Sequence, residues 1–265
     1  MIIPFLRYTV INFFVFLKNL FFAPFSKLSR HRLSNAYDKL IYPYYGKQYV
    51  DLSMLLQNNE LEVNLSPVKS KEHNTSAFEL LSICSILKDR YCNNIFEIGT
   101  YDGRTTRAMS MNLLNEHGKI YTLNLPENTN KVFMATNVLD INLSHKVVSG
   151  ERFLNTPNQK YIEQLLGDSA LFDYSPYFGK MDMVFIDGAH SEKYVETDTM
   201  NALKLVRKSG GILIWHDAHL YGVVKFILPW IKLNRLPLFF IKDTSLAIAC
   251  VRDGNIVDWE YMSSV

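Results

Sequence analysis

A chain of 265 residues that is 48% apolar carries enough hydrophobic material for one large domain, with or without an extension, so disorder does not describe it. Its formal net charge of +2 and the lack of any RNA- or DNA-reading motif argue against a nucleic-acid partner. Cys84, Cys92 and Cys250 form no C-x-x-C pair and leave an odd count, which argues against a disulfide framework and a thiolate zinc site and favours a reducing, cytoplasmic location.

The chain opens with "MIIPFLRYTVINFFVFLKNLFFAPF", in which Arg7 and Lys18 keep every uncharged run well short of the ~20 residues that span a bilayer. On a helical wheel Arg7, Tyr8, Asn12, Lys18 and Asn19 share an arc into which Ile11 and Val15 also fall, opposite Phe5, Phe13, Phe16, Leu17, Leu20 and Phe21. Residues 1–28 are therefore predicted to form an apolar helix that lies in a membrane interface, with Lys27, Arg30 and Arg32 as a basic patch for anionic head groups. The alternatives are an arm packed on a partner subunit or a spanning anchor. A cleaved signal peptide fits poorly, because no positive cluster precedes the apolar run and no A-x-A-like site follows it. Residues 29–75 have no clear periodicity and read as a linker or cap.

From Ser76 the pattern sharpens. Ser76 with Glu79 makes a capping box, and Leu80, Leu81, Ile83, Cys84 and Leu87 follow at helical spacing. Then come a strand "NIFEIG", a helix "TTRAMSMNLLNE", and strands "KIYTLNL", "YIEQLLGDS" and "MDMVFIDG". A helix "EKYVETDTMNALKLVR", a strand "GGILIWHD" and a helix "YGVVKFILPWIKL" precede the closing strands "LFFIKD" and "LAIACVRDG". This alternation predicts an α/β domain over residues 76–265, with a mostly parallel, seven-stranded sheet and helices on both faces. The last two strands are too close for a crossover, so one runs antiparallel. Ligands of such sheets bind beyond the carboxyl ends of the strands.

Three strand ends carry candidate chemistry. In "EIGTYDGRTT" Gly99 and Gly103 permit a sharp turn before a helix, which suits a cofactor loop or an ordinary strand-to-helix turn; the phosphate-loop and dinucleotide fingerprints are both absent. Asp187 and Asp217 end strands that would lie side by side ~4.8 Å apart, so their carboxylates can converge on one ion. Mg²⁺ suits such oxygen ligands, or Mn²⁺ if an imidazole joins them, and His190 and His216 are the available imidazoles; His219 lines the mouth at most.

Taken together, residues 76–252 resemble the Rossmann-like class I S-adenosylmethionine-dependent methyltransferases. "LLGDSALFDYSPYFGKMDMVFIDGAHSEKYVETDTMNALKLVRKSGGILIWHDA" is similar to the branch of small-molecule O-methyltransferases that includes macrocin O-methyltransferase and cephalosporin hydroxylase-like proteins. The resemblance implies S-adenosyl-L-methionine as cofactor, bound by Glu97, Gly99, Thr100, Tyr101, Gly103, Asn124, Asp168, Ser169 and Asp187. Asn124 would face the ribose where the family has an acid, with Glu127 as a substitute; Asp168 and Ser169 would meet the adenine edge. A turn residue and a capped turn are the alternatives for these positions. The metal ligands would be Asp187, His216 and Asp217, and the catalytic groups Asp187 and His190. His190 stands where the resemblance puts a general base, its alternative being a helix cap.

The sequence thus points to an O-methyltransferase acting on a hydroxyl of a small polar metabolite or sugar, assisted by Mg²⁺ or Mn²⁺. Its expected partners are that acceptor, a membrane surface met through residues 1–28 and a second copy of the chain, at a cytoplasmic, peripheral location. A metal-independent methyltransferase and a non-catalytic, cofactor-binding assembly protein are the rival readings.

Overall fold

A computed structural model describes residues 47–260 apart from 59, 67–68, 72, 127–128, 130–131 and 135–146, together with helical positions 13, 14, 17, 18 and 20. The predicted N-terminal helix lies otherwise outside the described residues; Phe13, Phe14, Leu17 and Leu20 are exposed. Among the described residues no helix is long and apolar enough to cross a membrane.

The strands are β1 (Tyr49–Val50), β2 (Asn94–Ile98), β3 (Lys119–Asn124), β4 (Ile162–Leu166), β5 (Met183–Ile186), β6 (Gly211–Trp215), β7 (Phe239–Ile241), β8 (Ala247–Arg252) and β9 (Asn255–Val257). Four helices are relevant here: α1 (Ala77–Asp89), α2 (Arg104–Ser110), α3 (Glu192–Leu205) and α4 (Tyr221–Asn234). One sheet runs in the order β1-β7-β8-β6-β5-β2-β3-β4, and β9 pairs with β8. β8 is antiparallel to β6, β7 and β9, while β2 to β6 are mutually parallel along the sheet.

The mostly parallel α/β sheet, with its antiparallel closing pair, is as the sequence predicted; the strand count is not. Nine strands replace seven because β1 and β9, of two and three residues, are too short to show a period of two. β1 pairs with β7, so the sheet also draws on the stretch predicted as linker or cap. α2 is likewise shorter than "TTRAMSMNLLNE" suggested. Just beyond its end the Asn112 side chain donates to the carbonyls of Ala108 (2.7 Å) and Asn64 (2.8 Å), anchoring the exit to another segment.

Core packing explains why the central strands read as unbroken apolar runs. β5 and β6 are buried at every position, one face covered by Val195, Ala202 and Leu205 of α3 with Val223, Val224 and Ile227 of α4. The other face meets Ile83, Ile86 and Leu87 of α1 and Met109 of α2. α1 starts from the predicted capping box: Glu79 N–H donates to Ser76 Oγ (3.2 Å), and Ser76 N–H donates to Glu79 Oε2 (2.8 Å).

Strand order reverses between β2, followed outward by β3 and β4, and β5, followed outward by β6. A doubly wound sheet opens its crevice at that switch point, beyond the carboxyl ends of the strands.

Candidate active site at the switch point

Gly99, just past β2, makes the crevice. At φ +104° it has a backbone few side chains adopt, and a Cβ there would stand 2.0 Å from the carbonyl oxygen of Asp187. The ends of β2 and β5 therefore touch because residue 99 has no side chain. The turn continues through Tyr101, also at positive φ. Gly103 serves differently: its missing Cβ makes room for the Phe153 ring, 2.6 Å from where that atom would be. Gly99, Thr100, Tyr101 and Asp187 line a cleft, whereas Gly103 does not.

Glu97 lies fully buried beneath the turn. Its Oε2 accepts hydrogen bonds from Thr106 and, at 2.5 Å, from Thr122, while Oε1 has no hydrogen-bond partner among the described residues. Burial, with smaller contributions from Asp187 and Asp102, pushes its carboxyl up to about 8. An orphaned buried oxygen under a glycine turn is compatible with a ligand carrying a positive charge above it.

The opposite wall was missed in the sequence. His73, Asn74 and Thr75 line the cleft, held there by Asn74 Nδ2 donating to Asp102 (2.9 Å) and by a Thr75–Thr105 hydroxyl pair (2.7 Å). Arg152 ties the same Asp102 (2.5 Å) to the Lys69 carbonyl (2.8 Å). The usable signal was the capping box at Ser76, which fixes the residues just before it at a helix start.

The remaining predicted cofactor residues are engaged within the protein. Asn124, at the end of β3, accepts from the Tyr101 N–H (3.3 Å) and donates to the Leu125 carbonyl (3.0 Å). Asp168 accepts from the backbone of Phe133 (2.8 Å) and Ala170 (3.0 Å) and from the Tyr194 hydroxyl (2.9 Å). Ser169 is half-buried, its carbonyl accepting from Tyr174 (3.1 Å). None of these three borders the cleft, and Glu127 lies outside the described residues.

At the ends of β5 and β6 the acids meet imidazoles. Asp187, His190 and Asp217 each present a ligand atom within 4.8 Å of the others, and His190 Nε2 is 3.2 Å from Asp217. His216, predicted as a ligand, stands among three acids: Nδ1 meets Asp187 at 2.9 Å and lies 3.6 Å from Asp217, while Nε2 lies 3.5 Å from Glu79, an ion-pair contact longer than a good hydrogen bond. Both imidazoles therefore adjoin the Asp187–Asp217 pair, His190 at Asp217 and His216 at Asp187. The helix-cap alternative for His190 is not what forms, since Ser191 occupies the N-cap of α3. His219 reaches only to 3.9 Å from Asp217.

Charge balance accounts for the protonation pattern. Burial opposes ionisation of Asp217 and Glu79, yet the neighbouring His216, with His190 on Asp217 and Ser245 on Glu79, holds both well below the usual carboxylate range. Burial alone would lower His216, but Asp187, Asp217 and Glu79 raise it well above the ordinary imidazole value. Two more groups flank the site. Lys47 donates to the Ala218 carbonyl (2.8 Å), and desolvation lowers it to about 8. Asp198 on α3, within 3.2 Å of where a Gly188 Cβ would be, is pushed up to about 7 by burial.

Residues 96–218, just under half of the chain, match the family model described as a methyltransferase domain. The matched segment contains the strand ends at the switch-point cleft, and a methyltransferase domain is the class to which the sequence resemblance pointed. No curated protein matches the chain. Among solved structures, the O-methyltransferase TomG from Streptomyces achromogenes in complex with S-adenosylmethionine is 18% identical, with 71% of this chain and 92% of that one covered and a TM-score of 0.49. The O-methyltransferase from Bacillus cereus in complex with S-adenosylhomocysteine is also 18% identical, with 82% and 97% covered and a TM-score of 0.49. The Podospora anserina methyltransferase PaMTH1 is 16% identical, with 68% and 79% covered and a TM-score of 0.46. Similarity at this level carries no argument about chemistry.

Proposed function

We propose that this domain transfers a methyl group from S-adenosylmethionine to a hydroxyl of a small polar metabolite or sugar, with Mg²⁺ or Mn²⁺ held by Asp187 and Asp217. The observation that carries the reading is the double position of Asp187, which borders the glycine-turn cleft and also belongs to the carboxylate–imidazole triple. S-adenosylmethionine supplies the electrophilic methyl group, and a divalent cation supplies the charge that favours an ionised acceptor hydroxyl. Oxygen donors from two carboxylates are a suitable set for such a cation.

The chain's own work follows from the geometry. The turn from Gly99 to Tyr101, faced by Asn74 and Thr75, would hold the cofactor's amino-acid end over Glu97. His190, oriented by Asp217 at 3.2 Å through Nε2, would take the hydroxyl proton at Nδ1. The same dyad favours a second reading in which His190 acts without a cation. Incubation of the full chain with methyl-labelled cofactor, sugars and hydroxylated acids separates the two. Labelled ether that disappears with EDTA and returns with Mg²⁺ supports the first reading; labelling indifferent to EDTA supports the second. Retained cofactor binding with no labelled ether from any hydroxyl acceptor contradicts both.

Residues 1–28 are proposed to set the enzyme on an anionic membrane surface, a reading supported by their apolar face and the trailing Lys27, Arg30 and Arg32. Deleting them should abolish co-flotation with anionic liposomes and leave cofactor affinity unchanged. If the deletion instead splits an oligomer, the segment is a subunit arm.

A further inference from the structure

We infer that Glu79 is a positioning residue that fixes both carboxylates of the proposed metal site at once, Asp187 through His216 and Asp217 through Ser245. The inference rests on the metal reading above. Glu79 lies upstream of the matched methyltransferase segment and Ser245 lies downstream of it, so neither belongs to the strand-end ligands themselves.

A capping box accounts for only part of what this side chain does. Glu79 Oε2 accepts from Ser76 N–H (2.8 Å) and faces His216 Nε2 at 3.5 Å, while the other face of that imidazole meets Asp187 at 2.9 Å. Oε1 accepts twice from Ser245, from its N–H (2.7 Å) and its hydroxyl (2.6 Å). Having donated to Glu79, the Ser245 hydroxyl accepts from the Asp217 N–H (3.2 Å), and the Ser245 carbonyl accepts from the Ala218 N–H (2.8 Å). Asp217 sits at φ +51°, a left-handed conformation open to aspartate and held here by its surroundings. The turn between β7 and β8, anchored by Glu79, supplies those surroundings.

Every donor around Glu79 requires an acceptor in return. In Glu79→Gln the NH₂ end of the amide must face either the Ser76 N–H or the Ser245 N–H, so one of those hydrogen bonds is lost whichever way the amide lies, and the charge facing His216 is lost in both. Partners that orient metal ligands change metal affinity by about 10- to 100-fold when removed.

The test measures Mn²⁺ affinity by calorimetry or electron paramagnetic resonance, alongside S-adenosylhomocysteine affinity and melting temperature. Glu79→Gln should weaken Mn²⁺ by about tenfold or more. Ser245→Ala, which cuts only the arm to Asp217 and covers the case in which Glu79→Gln does not fold, should weaken it severalfold; both should keep S-adenosylhomocysteine affinity. Ser76→Ala is the control: it breaks the cap, lowers the melting temperature and leaves Mn²⁺ affinity in place. Unchanged Mn²⁺ affinity in Ser245→Ala, or a loss in Ser76→Ala equal to that in Glu79→Gln, overturns the inference and leaves Glu79 a helix cap. If the wild-type chain binds no Mn²⁺ at millimolar concentration, the metal reading falls and the inference with it.

Discussion

At the ends of β3 and β4 the polar side chains are held mainly by the backbone: Asn124 bonds Tyr101 and Leu125, and Asp168 takes the amides of Phe133 and Ala170 besides the Tyr194 hydroxyl. At the ends of β5 and β6 the acids are satisfied by other side chains instead, Asp187 by His216 and Asp217 by His190. Amide donors compensate a carboxylate by locking a turn, which gives shape and leaves little capacity for a further ligand. Imidazoles compensate it with charge, and that charge can be exchanged for a cation or moved as a proton. One half of the sheet edge is thus a frame and the other is where chemistry can happen, with Gly99 joining the two.

The largest expected effect breaks the joint. Gly99→Ala drives a Cβ into the Asp187 carbonyl at a backbone angle that favours glycine, and should cost at least ~3 kcal/mol in urea unfolding and abolish S-adenosylhomocysteine binding. Next, His190→Gln probes the chemical half alone: turnover near pH 7 should fall about 100-fold with cofactor affinity unchanged, measured by methyl transfer and calorimetry. Normal turnover would make His190 structural.

Asp198 sharpens the contrast through pH. Burial raises its carboxyl to about 7, above its unfolded value, so the folded state keeps a proton that the unfolded chain releases. Its contribution to stability is therefore full at acid pH and lost as pH rises towards and past 7. Asp198→Asn should gain on the order of 2 kcal/mol relative to wild type between pH 5 and pH 8, read from paired denaturation curves; a pH-independent difference would show that Asp198 holds no such proton. The smallest effect belongs to the frame. Asn124→Asp loses one donor to Leu125 and should shift S-adenosylhomocysteine affinity by less than about fivefold, the worth of one hydrogen bond. A tenfold gain would put this side chain on the ribose.

What the sequence revealed depended on how local each signal was. β2, β5 and β6 were legible because burial on both faces writes an apolar run, and the meeting of Asp187 with Asp217 followed from two neighbouring strands ending in acids. The capping box at Ser76 was visible for the same reason, all its partners lying within one turn. The contact of His216 with Glu79 on α1 was not legible, since the two lie far apart in sequence. Ser245, Lys47 and the wall at residues 73–75 were equally hidden, each placed by contacts that no period or spacing encodes. β1 escaped notice because two residues cannot establish an alternation.

The claim that the β5–β6 edge is the chemical half is tested most directly by calorimetric titration of Mn²⁺ into the S-adenosylhomocysteine-saturated chain and into its Asp217→Asn variant. A single ion per wild-type chain, at least 100-fold weaker binding in the variant, and S-adenosylhomocysteine held by both are expected. Equal Mn²⁺ binding in the two proteins, or none in the wild type, would contradict it.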